Sequence, residues 1–397
     1  MLQTKDNAHL RHVVSPGPKD GRGANALLND SECASGIRVL KSLPQYVTIG
    51  THCGCNANCV FCPGGEFPDF SLDVFRSFLE EKLEAALSAA KFVGFCGMGE
   101  LLLIPGIEEF LDYINLNLSG ATKLIVSNGS PLTRRLCDKL VEACSSNNAE
   151  TDTSYVLVIS LHAFDPGLHK AITGTGCYEE IISSIRYLSG KIKGLNLKMR
   201  LRLAFVATTL NIDHLPDFVR SAGELGVDGI DCSYLNIYEP RHIGLSCFFG
   251  KEKAVAAFEK AREMAAVRGI DLKLPPSFRR EETAPGESCC SDPWKYLYAE
   301  TQGTVNPCCF ANDHTGDLSR ESFESVWNGR PYHDLRRDLS EGDRINEFCK
   351  YCLKRDRGMV NDIRAHISQR KEIRRSIIEY LREHGNEYKL PEKNLEL

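Results

Sequence analysis

Short β-rich runs alternate with amphipathic segments along most of this chain, and that alternation restricts the fold more than any other feature. The β-rich runs cover residues 45–49, 92–96, 123–127, 155–160, 198–206 and 229–237, with a short one at 271–274. The run at 155–160 (Tyr-Val-Leu-Val-Ile-Ser) is almost continuously apolar, as a parallel strand covered on both faces must be. Helical spacing fills the intervals. After Ser71, a capping residue, Phe75, Phe78, Leu79, Leu83 and Leu87 recur at three- and four-residue steps. Further helices are expected over 107–114, 133–143, 178–188, 215–225 and 254–268. Six βα units in series imply a parallel sheet with helices outside it.

The 397 residues are enough for a full-size barrel domain plus a smaller one, and no fixed-period repeat is present. The net charge of −5 argues against a nucleic-acid partner. No apolar run approaches the ~18 residues of a membrane span. The first residues lack the apolar core of an export signal. Without one, 17 cysteines point to metal binding in a reducing, cytoplasmic setting instead of disulfides.

The first β-run delivers Thr51-His-Cys-Gly-Cys-Asn-Ala-Asn-Cys-Val-Phe-Cys, in which Cys55, Cys59 and Cys62 stand as C-x3-C-x2-C with Phe61 before the last. Three thiolates can converge on one soft metal centre, yet structural zinc and an electron-transfer cluster each want four ligands. Zinc with Cys53 as fourth ligand is one reading. A cube held by three cysteines, leaving one iron open, is the other. The spacing resembles that of the radical S-adenosylmethionine (SAM) enzymes. In that family the open iron chelates the amino and carboxylate groups of SAM, and the reduced [4Fe–4S] cluster cleaves SAM to a 5′-deoxyadenosyl radical. The resemblance turns the parallel sheet into a partial (βα)6 barrel, an α/β fold whose active site lies at the C-terminal ends of the strands.

Other strand ends fit the same resemblance. Gly97-Met98-Gly99-Glu100 resembles the Gly-Gly-Glu motif that hydrogen-bonds the SAM amino group, with Met98 where a glycine is often found. Ser127 and Asn128 resemble the Thr-Asn-Gly commonly seen after the third strand, and Ser160 a contact for the SAM ribose or carboxylate. His162 stands where an aspartate is usual. Lys198, Arg200 and Arg202 share one face of the fifth run by its period of two. Arg202 is read either as a solvated cation or as a partner for the SAM carboxylate. Cys232 and the loop residue Cys247 are core packing on the plain reading. The functional alternative is a hydrogen-atom donor, as in family members that epimerise a carbon.

Beyond residue 275 the βα rhythm stops and cysteines become dense again. The Cys-x2-Pro-Trp, Gly-x4-Cys, Trp-Asn-Gly and final Cys-x2-Cys patterns resemble the SPASM/twitch extension of radical SAM enzymes, a small cysteine-rich α+β domain. Ligand counting favours its single-cluster form, with Cys290, Cys308, Cys349 and Cys352 around a second, auxiliary [4Fe–4S] cluster. Cys289 and Cys309 are adjacent spares, and a four-cysteine zinc ribbon is the alternative. The expected division is a flexible extension at 1–42 with a short helix near 37–40, a barrel at 43–275, an auxiliary domain at 288–355 and a helical tail at 356–397. The tail carries Ile363, Ile367, Ile377 and Leu381 at near-helical spacing.

The resemblance implies hydrogen abstraction from a C–H bond, followed by oxidation or epimerisation, with a flavodoxin- or ferredoxin-type one-electron reductant as partner. A carbohydrate-like small molecule (a sugar or aminocyclitol) is expected ahead of a ribosomally made peptide, because no peptide-binding domain is recognisable at the N-terminus. No membrane partner is expected. A zinc- or cluster-binding regulatory protein is the alternative of another class.

Overall fold

The computed structural model describes residues 21–65, 71–146, 154–279, 290–310, 314–341, 347–353, 359–368, 371–384, 388 and 390. Ahead of the sheet stands helix α1 (Gly21–Ala34). Strands β1 (Tyr46–Gly50), β2 (Phe92–Phe95), β3 (Thr122–Ser127) and β4 (Tyr155–Ser160) are followed by β5 (Met199–Ala207), β6 (Gly229–Tyr234) and β7 (Asp271–Lys273). Between them run α2 (Leu72–Lys82), α3 (Glu84–Ala89), α4 (Ile107–Asn117), α5 (Arg134–Ser145) and α6 (Pro166–Thr173). The last crossovers are α7 (Tyr178–Gly194), α8 (Leu215–Leu225) and α9 (Lys251–Arg268). Local chemistry sets the helix ends. Thr133 and Asp165 accept the backbone N–H of Leu136 and Leu168, and Gly174, Gly226 and Gly269 close α6, α8 and α9 in the left-handed conformation. Ser71 occupies the cap position of α2, but its side chain makes no capping bond.

All seven strands are parallel, and their side chains alternate between two environments. Val47, Ile49, Val93, Phe95, Ile125, Leu157, Ile159, Leu201, Leu203 and Phe205 point outwards beneath the helices and are almost fully buried. The opposite set faces a central lumen, so the sheet wraps into an open barrel. Its lower part holds Arg200, Arg202, Asp231 and Asp271, and its upper part Cys96, Val126, Ser160, Ala204 and Val206.

The remaining elements are α10 (Asp292–Lys295), β8 (Tyr296–Glu300), β9 (Thr304–Asn306), β10 (Gly316–Asp317), α11 (Phe323–Trp327), α12 (Arg330–Glu341), α13 (Glu347–Lys350) and α14 (Lys371–Glu383). Strand β8 pairs in parallel with β1, from Tyr46↔Tyr296 to Gly50↔Glu300, and β9 and β10 add antiparallel. Barrel and cysteine-rich segment therefore share one ten-stranded sheet, ordered β10-β9-β8-β1-β2-β3-β4-β5-β6-β7.

Two expectations for the flanks differ from the structure. The helix before the barrel lies at Gly21–Ala34, not near 37–40, and residues 21–45 are tied down. Buried Glu32 accepts the backbone N–H of Lys41 and Ser42, and Asn29 donates to the Trp294 carbonyl at 2.6 Å. Asn328 pairs with the backbone of Leu40 through both its amide atoms, and Trp327 Nε1 donates to the Ser42 carbonyl at 3.0 Å. The Trp-Asn-Gly pattern thus clamps the N-terminal segment. Fully buried Arg336 reinforces it, with its guanidinium on Pro293 and Arg38 carbonyls and its faces against Trp327 and Tyr332. In the tail, Ile377 and Leu381 do lie on a helix, but Ile363 sits in a 3-10 turn. Ile367 forms a β-bridge with Ile237, which carries the chain back onto the end of the barrel. Residues 391–397 lie outside the described part.

Candidate active site

The loop after β1 is held on three sides. Asn58 and Val60 donate their backbone N–H groups to the Thr173 and Ile172 carbonyls of α6, and Cys53 donates to the Met98 carbonyl. Asn128 Nδ2 reaches Asn56 Oδ1 at 2.9 Å. The contact with the loop after β2 is close enough to require glycine. A Cβ on Gly97 would lie 2.8 Å from the Thr51 backbone, and one on Gly99, whose φ is +121°, would lie 2.1 Å from the Cys53 carbonyl oxygen.

The result is a cavity of about 540 Å³ at the C-terminal ends of β1 to β5, lined by Cys55, Cys59 and Cys62. The same cavity gathers Phe61, Gly97, Met98, Gly99, Glu100, Ser127, Asn128 and Ser160. Backbone N–H groups of Ala57 and Gly64 approach the Cys55 and Cys62 sulfurs at 3.4 Å, and the Asn128 amide approaches Cys55 at 3.8 Å. Such N–H···S contacts suit thiolate ligands of a cluster. Burial, then the nearby Cys62 and Cys55 sulfurs, push the Cys59 thiol up to about 12. Only a strong positive charge beside it would let Cys59 ionise near neutral pH, so three converging sulfurs fit a metal cluster, whose binding would release the Cys59 proton. Among the described residues, no three Cys, His, Asp or Glu side chains are gathered as a ready-made site for a single ion. Cys53 is turned into the core at 2% exposure, with its thiol pushed up by burial.

Glu100 is 1% exposed. Its Oε2 accepts from the Asn128 N–H at 2.5 Å and its Oε1 from the Leu102 N–H at 3.1 Å. Burial raises its pKa, and these bonds work against the rise. His162 has a left-handed backbone (φ +62°) and buries its ring edge-on to Phe61, with centroids 5.0 Å apart. Its Nδ1 accepts from the Val206 N–H at 3.2 Å, and burial pushes the imidazole down to about 3. A neutral histidine with Nδ1 occupied as acceptor carries its proton on Nε2. Arg241 joins from the far loop, donating to the Cys62 carbonyl at 3.2 Å while paired with Glu239.

Three expected residues are elsewhere. Arg202 is in the fourth position of a nine-residue strand, so its side chain enters the lumen near the N-terminal mouth. There it binds Asp231 through two nitrogens, at 2.7 and 2.9 Å, and Asp271 at 2.6 Å. At the height of the cysteines, β5 offers Ala204 and Val206 instead. Cys232 is on the outward face of β6, alternating with lumen-facing Asp231, and beside the Tyr234 ring that packs on Phe258 of α9. Cys247 lies in a 3-10 turn at 2% exposure near Cys232. Both are packing residues of the outer layer.

A second cavity, of about 250 Å³, is lined by Cys290, Cys308 and Cys349 together with Asp292 and His314. Cys352, three residues further on, is half-buried and does not line it. Cys289 lies outside the described residues. Cys309 diverges from Cys308 and comes into electrostatic range of Cys96 and Tyr296 on the barrel side. Buried Asn306, two residues before Cys308, has a side-chain amide with no partner among the described residues. Thiols lining a cavity next to an unspent amide donor fit a cluster. Asn56, Cys96, Arg241 and His314 carry no sequence signal beyond residue type. Only His162 was placed by a motif position.

A barrel of this topology with three cysteines after β1 and a Gly-x-Gly-Glu after β2 defines the radical SAM class. A model of the radical SAM superfamily matches residues 49–222, and a model of the SPASM iron–sulfur cluster-binding domain matches residues 289–353. The chain is a radical SAM enzyme with a C-terminal SPASM domain, and its cofactors are SAM and [4Fe–4S] clusters. Similar solved structures include SuiB of Streptococcus suis bound to S-adenosylmethionine, at 15% identity and TM-score 0.58, covering 79% of this chain and 72% of that one. SuiB bound to its precursor peptide SuiA has 14% identity and TM-score 0.57, covering 78% and 70%. The enzyme anSMEcpe with bound AdoMet and a Cp18Cys peptide has 14% identity and TM-score 0.54, covering 85% and 97%. These structures overturn the expected preference for a carbohydrate-like partner, since the substrates bound in them are peptides. Among the described residues, no helix is long and apolar enough to cross a membrane.

Proposed function

We propose that this radical SAM enzyme modifies a ribosomally made peptide by epimerisation, crosslinking or oxidation at a C–H carbon. The observation that carries the reading is the continuity of β8 with β1, which ties the segment that bears the second cysteine-lined cavity to the sheet that bears the first. The likeness to structures with bound precursor or substrate peptides supports the choice of a peptide. SAM bound at the Cys55, Cys59 and Cys62 cluster supplies a 5′-deoxyadenosyl radical on one-electron reduction. In this reading the Glu100 carboxylate, itself buried, receives the SAM ammonium in a charge-assisted contact. Ser127, Asn128 and Ser160 offer polar contacts, Phe61 and His162 wall the cavity, and Cys290, Cys308, Cys349 and Cys352 hold the auxiliary cluster. Residues 43–275 act as the barrel and 288–355 as the auxiliary domain, in a reducing compartment such as the cytoplasm.

The test uses anaerobically reconstituted full-length protein with SAM, a one-electron reductant and a library of linear peptides. The expected result is peptide-stimulated 5′-deoxyadenosine, with a peptide that has lost H2 or, in D2O, gained a deuterium. Nucleoside formation that no peptide stimulates, with every peptide recovered unmodified, would refute the peptide reading.

A further inference from the structure

Each cysteine set has an asparagine amide near it, and only one of the two amides has found partners. At the first set, Asn128 Nδ2 reaches Cys55 Sγ at 3.8 Å and Asn56 Oδ1 at 2.9 Å. At the second, Asn306 is 1% exposed, and neither its Nδ2 nor its Oδ1 has a partner among the described residues. Asn306 ends β9, and the two residues that follow it, Pro307 and Cys308, line the auxiliary cavity. Two residues of chain span at most about 7 Å, so Asn306 starts within that distance of the Cys308 backbone.

The cavity's own wall holds this strand end in place. Thr315, a lining residue, donates its N–H and its hydroxyl to the Val305 carbonyl at 2.8 and 3.1 Å. Fully buried Tyr332, next to the lining residue Pro331, donates its hydroxyl to the Asn306 carbonyl at 3.4 Å. On the other side Asn306 pairs with Tyr298 of β8. A buried amide fixed in this way without partners is costly, and folded proteins keep few of them. Cluster thiolates and sulfides only accept hydrogen bonds, so the amide nitrogen is the end that suits them.

We propose that the Asn306 amide donates a hydrogen bond to a sulfur of the auxiliary cluster and raises its reduction potential. The proposal rests on the reading that Cys290, Cys308, Cys349 and Cys352 hold that cluster, and it adds the residue that tunes it. Reduction adds negative charge to the sulfurs, so an N–H aimed at one of them stabilises the reduced form more than the oxidised form. Asp292, Asp334 and Asp338 line the same cavity and act in the opposite direction. Arg337 bonds to both Asp334 and Asp338 and offsets part of their charge. Asn306 supplies the neutral donor that carboxylates cannot. It acts through the cluster and is a positioning residue, not a catalytic one.

The test titrates anaerobically reconstituted holoenzyme with a mediated reductant and follows it by EPR. Added SAM tells the two clusters apart, because it changes only the signal of the cluster it binds. Asn306→Leu, which removes the donor, should lower the midpoint potential of the SAM-insensitive signal. Asn306→Asp, with oxygen in place of the nitrogen, should lower it at least as far. The SAM-sensitive midpoint and the iron content should match wild type. A second readout needs no variant: in wild type labelled with 15N at its asparagine amides, pulsed EPR on the SAM-insensitive signal should show a 15N coupling. Equal SAM-insensitive midpoints in wild type and both variants, or absence of that coupling, would overturn the assignment. Holoenzyme with only about four irons per chain and no SAM-insensitive signal would strike instead at the auxiliary-cluster reading on which it rests.

Discussion

Replacing Glu100 by glutamine isolates one charge at the centre of the site. The side chain keeps its size, so the 1%-exposed position gains no cavity. The carboxylate now accepts the N–H groups of Asn128 and Leu102 through its two oxygens. An amide can satisfy only one of them and turns an NH2 towards the other. That mismatch should cost about 1–3 kcal/mol of stability. On the proposed placement of SAM, the larger functional effect is loss of a charge opposite its ammonium group. A hydrogen bond to a charged group contributes about 2 kcal/mol, so the SAM Kd should rise about 30-fold. Equilibrium dialysis of SAM against reconstituted, anaerobic protein measures this, with iron content as the control for an intact cluster. The pH dependence follows from the same residue. Its folded pKa is raised by burial, so the charge is lost as pH falls through a range above that of an ordinary carboxylate. Wild-type affinity should therefore weaken on mild acidification, while the glutamine variant stays flat. An unchanged Kd at unchanged iron content would show that Glu100 does not meet the ammonium.

Two further predictions concern the scaffold. Arg202→Met should leave SAM affinity unchanged and lower stability by about 1–2 kcal/mol, less than for a fully buried pair because Asp231 and Asp271 are 33% and 60% exposed. A weakened SAM affinity at normal stability would restore Arg202 to the cofactor site. His366 donates Nε2–H to the Val360 carbonyl at 2.8 Å, stacks on Phe278 and is pushed by burial from 6.5 down to about 4. The unfolded chain takes up this proton first, so the contribution is complete above about 6.5 and is lost as pH falls towards 4. Between pH 7.5 and 5 that loss is about 2 kcal/mol, by the ~1.4 kcal/mol per pKa unit of linkage. Urea midpoints should fall less over that range in His366→Phe than in wild type, and equal falls would refute the linkage.

The cysteine spacing and the Gly-x-Gly-Glu that follows were legible because metal chemistry and close backbone contact impose residue type and spacing locally. The βα order was equally plain, since buried parallel strands and amphipathic helices each leave a short-range pattern. The N-terminal segment escaped that reading. Its anchors are polar side chains, Asn25, Asn29 and Glu32, which bond to backbone atoms, some of them far along the chain, and leave no hydrophobic period.

What the sequence by itself determined is which reactive groups stand close together along the chain: three cysteines in one loop, a carboxylate at the next strand end, and a second cysteine set. What only the tertiary structure decided is which side of each strand faces that chemistry. Period two tells that Arg200 and Arg202 share a face, and that Cys232 and Asp231 do not, without saying which face is the lumen or how high along the strand the site lies. Pairing of β5 with β4 and β6 puts Arg202 at the lower mouth and sends Cys232 outwards. Register and barrel closure are long-range properties, and the cost of turning a charge or a thiol to the wrong side appears only once the sheet has closed around the lumen.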